Sequence, residues 1–386
     1  MSDAEGSAPL PRLGVFDLQP IQYHTPLYQR LTARSTVALD VLYARQDGFR
    51  AELDAAGFGV RIAWDIDLLA GHRHQFLDGR TAARVGQLAR WLRRHDVVVT
   101  YGHSDPWMLA AAAACRRYRV PYLLRGDSGP QGQSGGVRGG LRYAVARAVV
   151  SGSAGGLAVG RRNEQFYARY GAPRVVFAPH SVDNDRLAAP PPIGRTELLE
   201  RHGLDPGRPV IMFCGKLTPA KRPLDLAAAA ARLGEAATIL FVGDGALRAE
   251  VGSMLPAGRG AVTGFVNQAE LPSYYHAADL LALPSQSEPW GLVVNEAMSA
   301  GVLPVVSDRV GCAPDLVEGL GEIYPCGDVA ALTAALGRGL ARVGDPGLPA
   351  ALRRRVDDYG IDATAAGFER AAAAVIASAG RPAVPV

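Results

Sequence analysis

Two glutamates in the second half of the chain have a spacing that suits a polyhydroxylated ligand. Glu288 and Glu296 are separated by seven residues and follow an apolar run that ends at Pro284. In parallel α/β sheets, ligands bind where the strands end, and carboxylates accept hydrogen bonds from paired hydroxyls. The pattern predicts that Glu296 binds a ribose diol and that Glu288 binds sugar hydroxyls. The alternative for Glu296 is a carboxylate that only stabilises a helix N-terminus.

A second group of residues suits an anionic ligand. An apolar run ends at Cys214, and Gly215, Lys216 and Lys221 follow before a helical pattern that begins at Pro223. Glycine lets the backbone approach a ligand closely, and a helix N-terminus offers free N–H groups that favour phosphate. Two lysines add point charges. The segment predicts a diphosphate site that needs no metal, and two solvated lysines at a helix start are an equal alternative.

Short apolar runs that alternate with helical patterns are expected to position these residues. In the first half, strands are predicted at Leu13–Leu18, Val37–Ala44, Val60–Trp64, Asp96–Tyr101, Pro121–Arg125 and Gly156–Val159. In the second half, they are predicted at Pro209–Cys214, Thr238–Val242, Ala261–Val266, Asp279–Pro284, Leu303–Ser307 and Glu322–Tyr324. Strands separated by helices form parallel sheets covered on both faces.

The length of 386 residues suits two α/β domains. We predict a first domain at 10–185, a second at 195–355, and a C-terminal helix at 361–380 that packs back on the first domain. The proline-rich segment Ala189–Ile193 is the expected linker. The glycine-dense stretch 129–140 predicts a flexible loop, with a mobile flap over a substrate as the alternative.

Composition excludes several classes of protein. The formal charge of +4 is too small and too evenly spread for a nucleic-acid binder, and at most a peripheral contact with a membrane is expected. The four cysteines are far apart, so no zinc site is predicted and a reducing cytoplasm is the simplest setting. We find neither a signal peptide nor an apolar run long enough to span a membrane.

Six motifs that follow one another in the second half carry a resemblance to a known family. They are Gly215–Lys221, Phe241–Gly245, Gly264–Asp279, Leu283–Ser285, Glu288–Glu296 and Gly301–Asp308. This ordered set resembles the C-terminal domain of a retaining GT-B glycosyltransferase of family 4, the glycosyl transferases group 1. The resemblance implies an α/β fold of the GT-B type, with two Rossmann-like β/α/β domains facing a central cleft.

The resemblance also implies a role for individual residues in binding a nucleotide-sugar donor. Lys221 is expected to bind the diphosphate, Glu288 the donor sugar and Glu296 the ribose. Lys216 stands where many relatives carry arginine, which keeps the charge but not the planar fork. Backbone amides at 290–292 would approach sugar and phosphate, and residues 265–266 would flank the base. The implied donor site comprises Gly215, Lys216, Lys221, Phe265, Val266, Glu288, Trp290, Gly291, Leu292 and Glu296.

The first half departs from the family pattern at the acceptor side. Many relatives have a histidine near the donor sugar after the strand that ends at Arg125, and here Arg125 or Asp127 stands in its place. His24 and His103 follow predicted strands, so either is a candidate to orient an acceptor hydroxyl, with Asp127 as a further candidate. A solvated loop histidine and a capping carboxylate are the respective alternatives.

The expected reaction is transfer of a sugar from a nucleotide diphosphate sugar, with UDP as the default, to a hydroxyl of a small-molecule, sugar or glycan acceptor. The resemblance implies retention at the anomeric carbon. Lys216, Lys221 and backbone amides would stabilise the leaving diphosphate, Glu288 would lie at the donor sugar, and Arg125 and Asp127 are candidates on the acceptor side. No cofactor beyond the donor and no metal is expected. The alternatives are a sugar-nucleotide epimerase and a non-catalytic nucleotide-sugar-binding subunit; a dehydrogenase is disfavoured because no G-x-G-x-x-G motif follows a strand.

Overall fold

The computed structural model describes residues 9–46, 52–54, 57–59, 61–129 and 137–378. The strands of this part are β1 (Arg12–Asp17), β2 (Ala38–Tyr43), β3 (Glu52–Leu53), β4 (Arg61–Ile62), β5 (His74–Phe76), β6 (Val97–Tyr101), β7 (Tyr122–Gly126), β8 (Gly155–Ala158), β9 (Val175–Phe177), β10 (Val210–Cys214), β11 (Thr238–Val242), β12 (Gly260–Val262), β13 (Leu280–Leu283), β14 (Leu303–Ser307) and β15 (Glu322–Tyr324).

The α-helices of the described part separate these strands or follow the last of them. They are α1 (Thr25–Arg34), α2 (Thr81–Leu92), α3 (Pro106–Tyr118), α4 (Val137–Ser151), α5 (Arg161–Tyr170), α6 (Asn184–Ala188), α7 (Arg195–Arg201), α8 (Pro223–Leu233), α9 (Arg248–Met254), α10 (Leu271–Ala277), α11 (Leu292–Ser299), α12 (Val329–Leu340), α13 (Leu348–Asp357) and α14 (Ile361–Ser378).

The chain forms two compact units. The first takes its residues from 1–49, 68–179 and 361–386, and the second from 50–67 and 180–360. Two stretches therefore belong to a different unit from their neighbours in the sequence. Residues 50–67 lie in the first half of the chain but belong to the second unit, and α14 follows the second unit in the sequence but belongs to the first.

The first unit is built on a seven-stranded parallel sheet in the order β5-β2-β1-β6-β7-β8-β9. Side chains of a strand point alternately to the two faces, so β1 contributes to two cores. Phe16 packs on one face with Trp91, whereas Leu13 and Val15 pack on the other with Phe368 of α14. Helix α14 lies against α1, β8 and β9. The sheet is therefore covered on both faces.

The second unit is built on a six-stranded parallel sheet in the order β12-β11-β10-β13-β14-β15. Every residue of β10 and β11 is buried, as continuous apolar runs in a sheet covered on both faces require. The chain runs outward from β10 to β12 on one side and restarts beside β10 with β13. The carboxyl ends of β10 and β13 therefore flank a topological switch point, where ligands of open α/β sheets bind. In the first unit, β1 and β6 flank the corresponding position.

Two sequence predictions of local structure need correction or restriction. Val60–Trp64 was expected to be a sheet strand, but among the described residues 61–64 only Arg61–Ile62 forms a strand, and it pairs antiparallel with Glu52–Leu53 outside both large sheets. The predicted glycine-rich loop at 129–140 lies mostly outside the described residues, and its last four residues begin α4.

Candidate functional site

The carboxyl end of β10 carries the first part of the candidate site. Gly215 has φ +144°, and a Cβ on neighbouring Gly243 would lie 1.9 Å from the carbonyl oxygen of Gly215. Only glycine at 243 allows the loops after β10 and β11 to approach so closely. Beyond Gly215 the chain makes a 3-10 turn, Pro219–Lys221, directly before α8. The turn places Lys221 at this edge of the sheet.

Lys221 forms an ion pair with Glu288 across the switch point. The Nζ atom of Lys221 donates to Oε2 of Glu288, and the two side chains are 24% and 12% exposed. The hydroxyl of Ser285 lies 3.5 Å from the same carboxylate oxygen. Lysine has three donors, so Lys221 keeps donors for an anion while it contacts Glu288. The two residues that the sequence placed on phosphate and sugar are therefore in direct contact.

The segment that carries Glu288 is held by its backbone. Glu288 pairs with Val310 in an isolated parallel bridge. Its carbonyl oxygen accepts from the amide of Gly311 at 2.9 Å, and the carbonyl of Trp290 accepts from Cys312 at 2.9 Å. A Cβ on Gly311 would lie 1.7 Å from the carbonyl oxygen of Pro289. This fit fixes where the Glu288 side chain leaves the backbone.

Residues 290–292 connect Glu288 to helix α11. Gly291 has φ +100° and lies directly before the first residue of the helix, Leu292. The first amides of a helix have no partner within it. The side chain of Trp290 is used in the core, because its indole donates to Oδ1 of Asn295 at 2.9 Å and its ring stacks on Tyr359. The side chain of Trp290 is thus committed to these two contacts, and a role for its backbone amide in ligand binding stays a prediction.

Glu296 lies in α11 and is 1% exposed. The hydroxyl of Tyr275 donates to its Oε2 atom at 2.5 Å. Burial, reinforced by the nearby thiol of Cys214 and the carboxylate of Glu296, raises the pKa of Tyr275 well above its ordinary value. The hydroxyl therefore remains protonated and able to donate. Tyr275 therefore holds one oxygen of Glu296, and the ribose contact and its structural alternative both stay predictions.

Lys216 and Phe265 contact residues that sequence reasoning did not assign to the site. The Nζ atom of Lys216 lies 2.7 Å from Oδ2 of Asp54 and 5.3 Å from the centre of the Phe58 ring. Phe265 packs edge-on against Phe58 and Trp64, at 5.1 and 6.1 Å between ring centres. All these residues belong to the second unit. No local sequence pattern pairs Trp64 with Phe265 or Asp54 with Lys216.

In the first unit, His24 lies at the β1–β6 switch point. Its Nδ1 atom lies 2.7 Å from Oδ2 of Asp17, the last residue of β1. The hydroxyl of Tyr28 donates to the same oxygen at 2.8 Å, and the His24 ring stacks on Tyr101, the last residue of β6, at 4.3 Å. This buried carboxylate orients His24, which a solvated loop histidine would not show. Sequence reasoning missed Asp17, although its position at a strand end was the available signal.

The remaining candidates of the first unit lie after β6 and β7. His103 borders a depression that Arg125, Ser128 and Asn163 also line, and burial lowers the pKa of His103. Asp127 is half-buried in the loop after β7. Arg125 is 2% exposed, and its two terminal nitrogens donate to the carbonyls of Ala178 and Pro179 at 2.7 and 2.8 Å. The backbone thus uses two donors of Arg125, whereas its buried Nε atom has no hydrogen-bond partner, and the contact of Arg125 with a substrate stays a prediction.

Metal and membrane features can be stated for the described ranges. Over these ranges, no group of three or more histidine, cysteine, aspartate or glutamate side chains is arranged to hold a metal ion. None of the described helices has both the length and the apolar character to cross a membrane. All four cysteines are free thiols.

Solved structures with the same architecture define the class of fold. The structure of Alr3699/HepE from Anabaena in complex with UDP superimposes with a TM-score of 0.72 at 15% identity, covering 93% of this chain and 98% of that one. A glycosyltransferase from Rickettsia africae gives a TM-score of 0.72 at 12% identity, over 95% and 99% of the two chains. The protein therefore has the GT-B glycosyltransferase fold, with two Rossmann-like units.

Sequence comparison adds the family. Residues 194–342 match the model described as glycosyl transferases group 1. The 2-deoxystreptamine glucosyltransferase of Streptomyces kanamyceticus is 32% identical over 265 residues, which cover 63% of this chain and 67% of the relative. The chain belongs to the group 1 glycosyltransferases.

Other curated relatives match over a shorter part of their length. The D-inositol 3-phosphate glycosyltransferase of Segniliparus rotundus is 40% identical over 167 residues, or 39% of this chain and 35% of the relative. The sulfoquinovosyl transferase SQD2 of Arabidopsis thaliana is 35% identical over 130 residues, or 32% and 25%. The chain thus spans between a quarter and two fifths of the length of these and similar relatives.

Proposed function

We propose that the protein is a retaining glycosyltransferase that moves a sugar from a nucleotide diphosphate sugar to an acceptor hydroxyl. The observation that carries the proposal is the Lys221–Glu288 pair at the β10–β13 switch point. A cation for phosphate and a carboxylate for sugar hydroxyls stand side by side at the edge where α/β sheets bind ligands. UDP is the proposed nucleotide by family resemblance.

The donor diphosphate would be held by charge and by backbone amides. Lys221 would use its remaining donors, and Lys216 would supply a second positive charge. The first backbone amides of α11, which begins directly after Gly291, would donate further hydrogen bonds to the diphosphate. Of the 41 basic residues in the chain, only these two are lysines. Fixed positive groups that stabilise charge on a leaving group contribute directly to the rate. We therefore propose that the reaction needs no metal.

The glutamates would hold the two sugars of the donor. Glu288 has a second carboxylate oxygen beside the one that contacts Lys221, and this oxygen would accept hydroxyls of the transferred sugar. Glu296 would accept the ribose hydroxyls while Tyr275 holds one of its oxygens. Phe265 and Val266 would flank the base. These assignments follow the family resemblance at the matched positions.

The proposed step balances without an enzymic nucleophile. The bond between the anomeric carbon and the diphosphate oxygen breaks, and the acceptor oxygen forms the new bond on the same face. The acceptor proton passes to the departing diphosphate oxygen. The lysines stabilise the charge that builds on that oxygen in the transition state.

The acceptor is proposed to be a small polyhydroxylated molecule or a glycan. Two relatives are named for 2-deoxystreptamine and D-inositol 3-phosphate, and both of these are ring polyols. His24, oriented by Asp17, and His103 with Asp127 are the proposed acceptor contacts in the first unit.

The four free thiols support a reducing, cytoplasmic setting.

The test begins with binding and ends with product stereochemistry. A thermal-shift series with UDP, GDP, ADP, dTDP and NAD identifies the nucleotide, because a ligand of the native state raises the melting temperature. Release of that nucleoside diphosphate from its sugar conjugates is then measured with a panel of ring polyols, and NMR of the product gives the anomeric configuration. A shift with NAD alone, or interconversion of the donor without an acceptor, would refute the proposal in favour of a dehydrogenase or an epimerase.

A further inference from the structure

One segment from the first half of the sequence belongs to the second unit. We call it the strap, and it comprises residues 52–54, 57–59 and 61–67. Strands β3 and β4 pair within the strap. Its far end is bound to the loop after β12, where Asn267 donates to the carbonyl of Ala63 at 2.6 Å and the amide of Ala269 donates to Asp65 at 2.9 Å. The strap therefore lies along the carboxyl edge of the sheet, from β10 to β12.

Its near end places a carboxylate on one of the two lysines. Asp54 contacts Nζ of Lys216 at 2.7 Å and accepts from the amide of Phe58 at 3.2 Å. A Cβ on Gly57 would lie 2.2 Å from both the Asp54 oxygen and the Lys216 nitrogen. Although burial acts to raise it, the hydrogen bonds from Lys216 and the Phe58 amide lower the pKa of Asp54. The ion pair is thus closely enclosed by the turn.

Phe58 connects this ion pair to the region proposed for the base. Its ring faces the ammonium of Lys216 and also contacts Phe265, which Trp64 contacts from the same strap. The rings of Phe58, Trp64 and Phe265 are all partly exposed. Partly exposed aromatic rings next to the ammonium group of Lys216 suit a ligand that has an aromatic base at one end and phosphate at the other.

We infer that the strap is a wall of the nucleotide site and that Asp54 occupies Lys216 until a diphosphate displaces it. The inference rests on the proposed function and assigns the strap residues a part in it. In the free protein, the Asp54 carboxylate occupies the position beside Lys216 that a phosphate oxygen takes in the complex. When a nucleoside diphosphate binds, Lys216 exchanges the carboxylate for phosphate, and Phe58 contacts the base.

The exchange costs the free energy of the Asp54–Lys216 ion pair, and one substitution at Asp54 removes that cost. Asp54→Asn deletes the charge that competes for Lys216, yet it keeps an oxygen for the Phe58 amide, so the turn is preserved. A pair in which the two side chains are 42% and 28% exposed is worth little. Its removal is expected to tighten nucleoside diphosphate binding by about two- to fivefold. Phe58→Ala removes the ring contact and is expected to weaken binding by about two- to tenfold.

The experiment measures dissociation constants by calorimetry for the nucleoside diphosphate and for inorganic pyrophosphate, which has no base. Asp54→Asn should tighten both ligands, whereas Phe58→Ala should weaken the nucleotide and leave pyrophosphate unchanged. Glu322→Gln is the matched control, because it removes one negative charge and a 2.7 Å ion pair with Arg338 elsewhere on the same unit. It should alter neither constant.

The other outcomes would contradict the inference in distinguishable ways. Unchanged or weaker binding by Asp54→Asn, or an equal gain in Glu322→Gln, overturns the exchange at Lys216. Unchanged nucleotide affinity in Phe58→Ala, or an equal loss for pyrophosphate, overturns the base contact. If wild type binds nucleotide and Lys221→Ala weakens it while both strap variants behave as wild type, only this inference fails. If wild type binds no nucleoside diphosphate, the proposed function fails and this inference fails with it.

Discussion

Replacement of Lys221 by alanine separates a binding role from a structural one. In the free protein the lysine uses one donor on Glu288, so its remaining donors are available for phosphate. A hydrogen bond to a charged group is worth about 1.5–3 kcal/mol. Lys221→Ala should therefore weaken nucleoside diphosphate binding about 10- to 150-fold. Isothermal calorimetry with the nucleotide that gives the largest thermal shift measures the change.

The same substitution should also destabilise the fold. It leaves Glu288, whose side chain is 12% exposed, without its cation, and such an unpaired carboxylate costs about 1–3 kcal/mol. The double variant Lys221→Ala/Glu288→Gln removes the orphaned charge, so its melting temperature should recover towards wild type. Its nucleotide affinity should stay low, because the phosphate contact is still absent.

The comparison needs a control with an equal loss of charge. Arg338→Gln breaks an exposed ion pair with Glu322 at the edge strand β15 and should change the dissociation constant by less than about twofold. Unchanged affinity in Lys221→Ala refutes the phosphate assignment. Affinity that recovers together with stability in the double variant shows instead that the loss came from folding.

Three further predictions test the chemistry. Glu288→Gln should reduce transfer at least about tenfold, or roughly 1.4 kcal/mol of transition-state stabilisation, and near-normal turnover would remove Glu288 from the reaction. Activity should survive EDTA, so a lasting loss that a divalent metal restores would contradict the metal-free mechanism. Since Lys216 and Lys221 are the only lysines in the chain, lysine acetylation detected by peptide mass spectrometry reports on these two side chains alone. A nucleoside diphosphate should slow modification of both lysines, and equal rates with and without nucleotide would place them outside the phosphate site.

The strands of the second unit were well predicted because they are buried apolar runs. Thr238–Val242 and Leu303–Ser307 match β11 and β14 residue for residue, and Pro209–Cys214 differs from β10 by one residue. The edge strands β5 and β9 were missed because each has three residues, with half-buried or exposed side chains. Central strands carry a strong sequence signal, whereas the signal of short edge strands varies, since the edge strand β15 was predicted residue for residue.

The candidate site shows the same division between local and long-range information. Lys221 and Glu288 were identified because each follows a predicted strand, and parallel strands bring their carboxyl ends to one edge. The contact between Lys216 and Asp54 joins residues 162 positions apart, and no local pattern encodes such a partner. The backbone acceptors of Arg125, Ala178 and Pro179, were not predicted for the same reason, because they are more than 50 residues away.

The path of the chain between the two units limits how the protein can be divided. The backbone passes from one unit to the other four times, near residues 50, 67, 179 and 360. A chimera that joins the second unit to the first unit of another protein with a single cut near residue 180 would leave the strap behind and carry α14 away from its sheet. Recombination between such proteins would therefore succeed only with several coordinated junctions, and the two halves are expected to diversify together rather than as interchangeable modules.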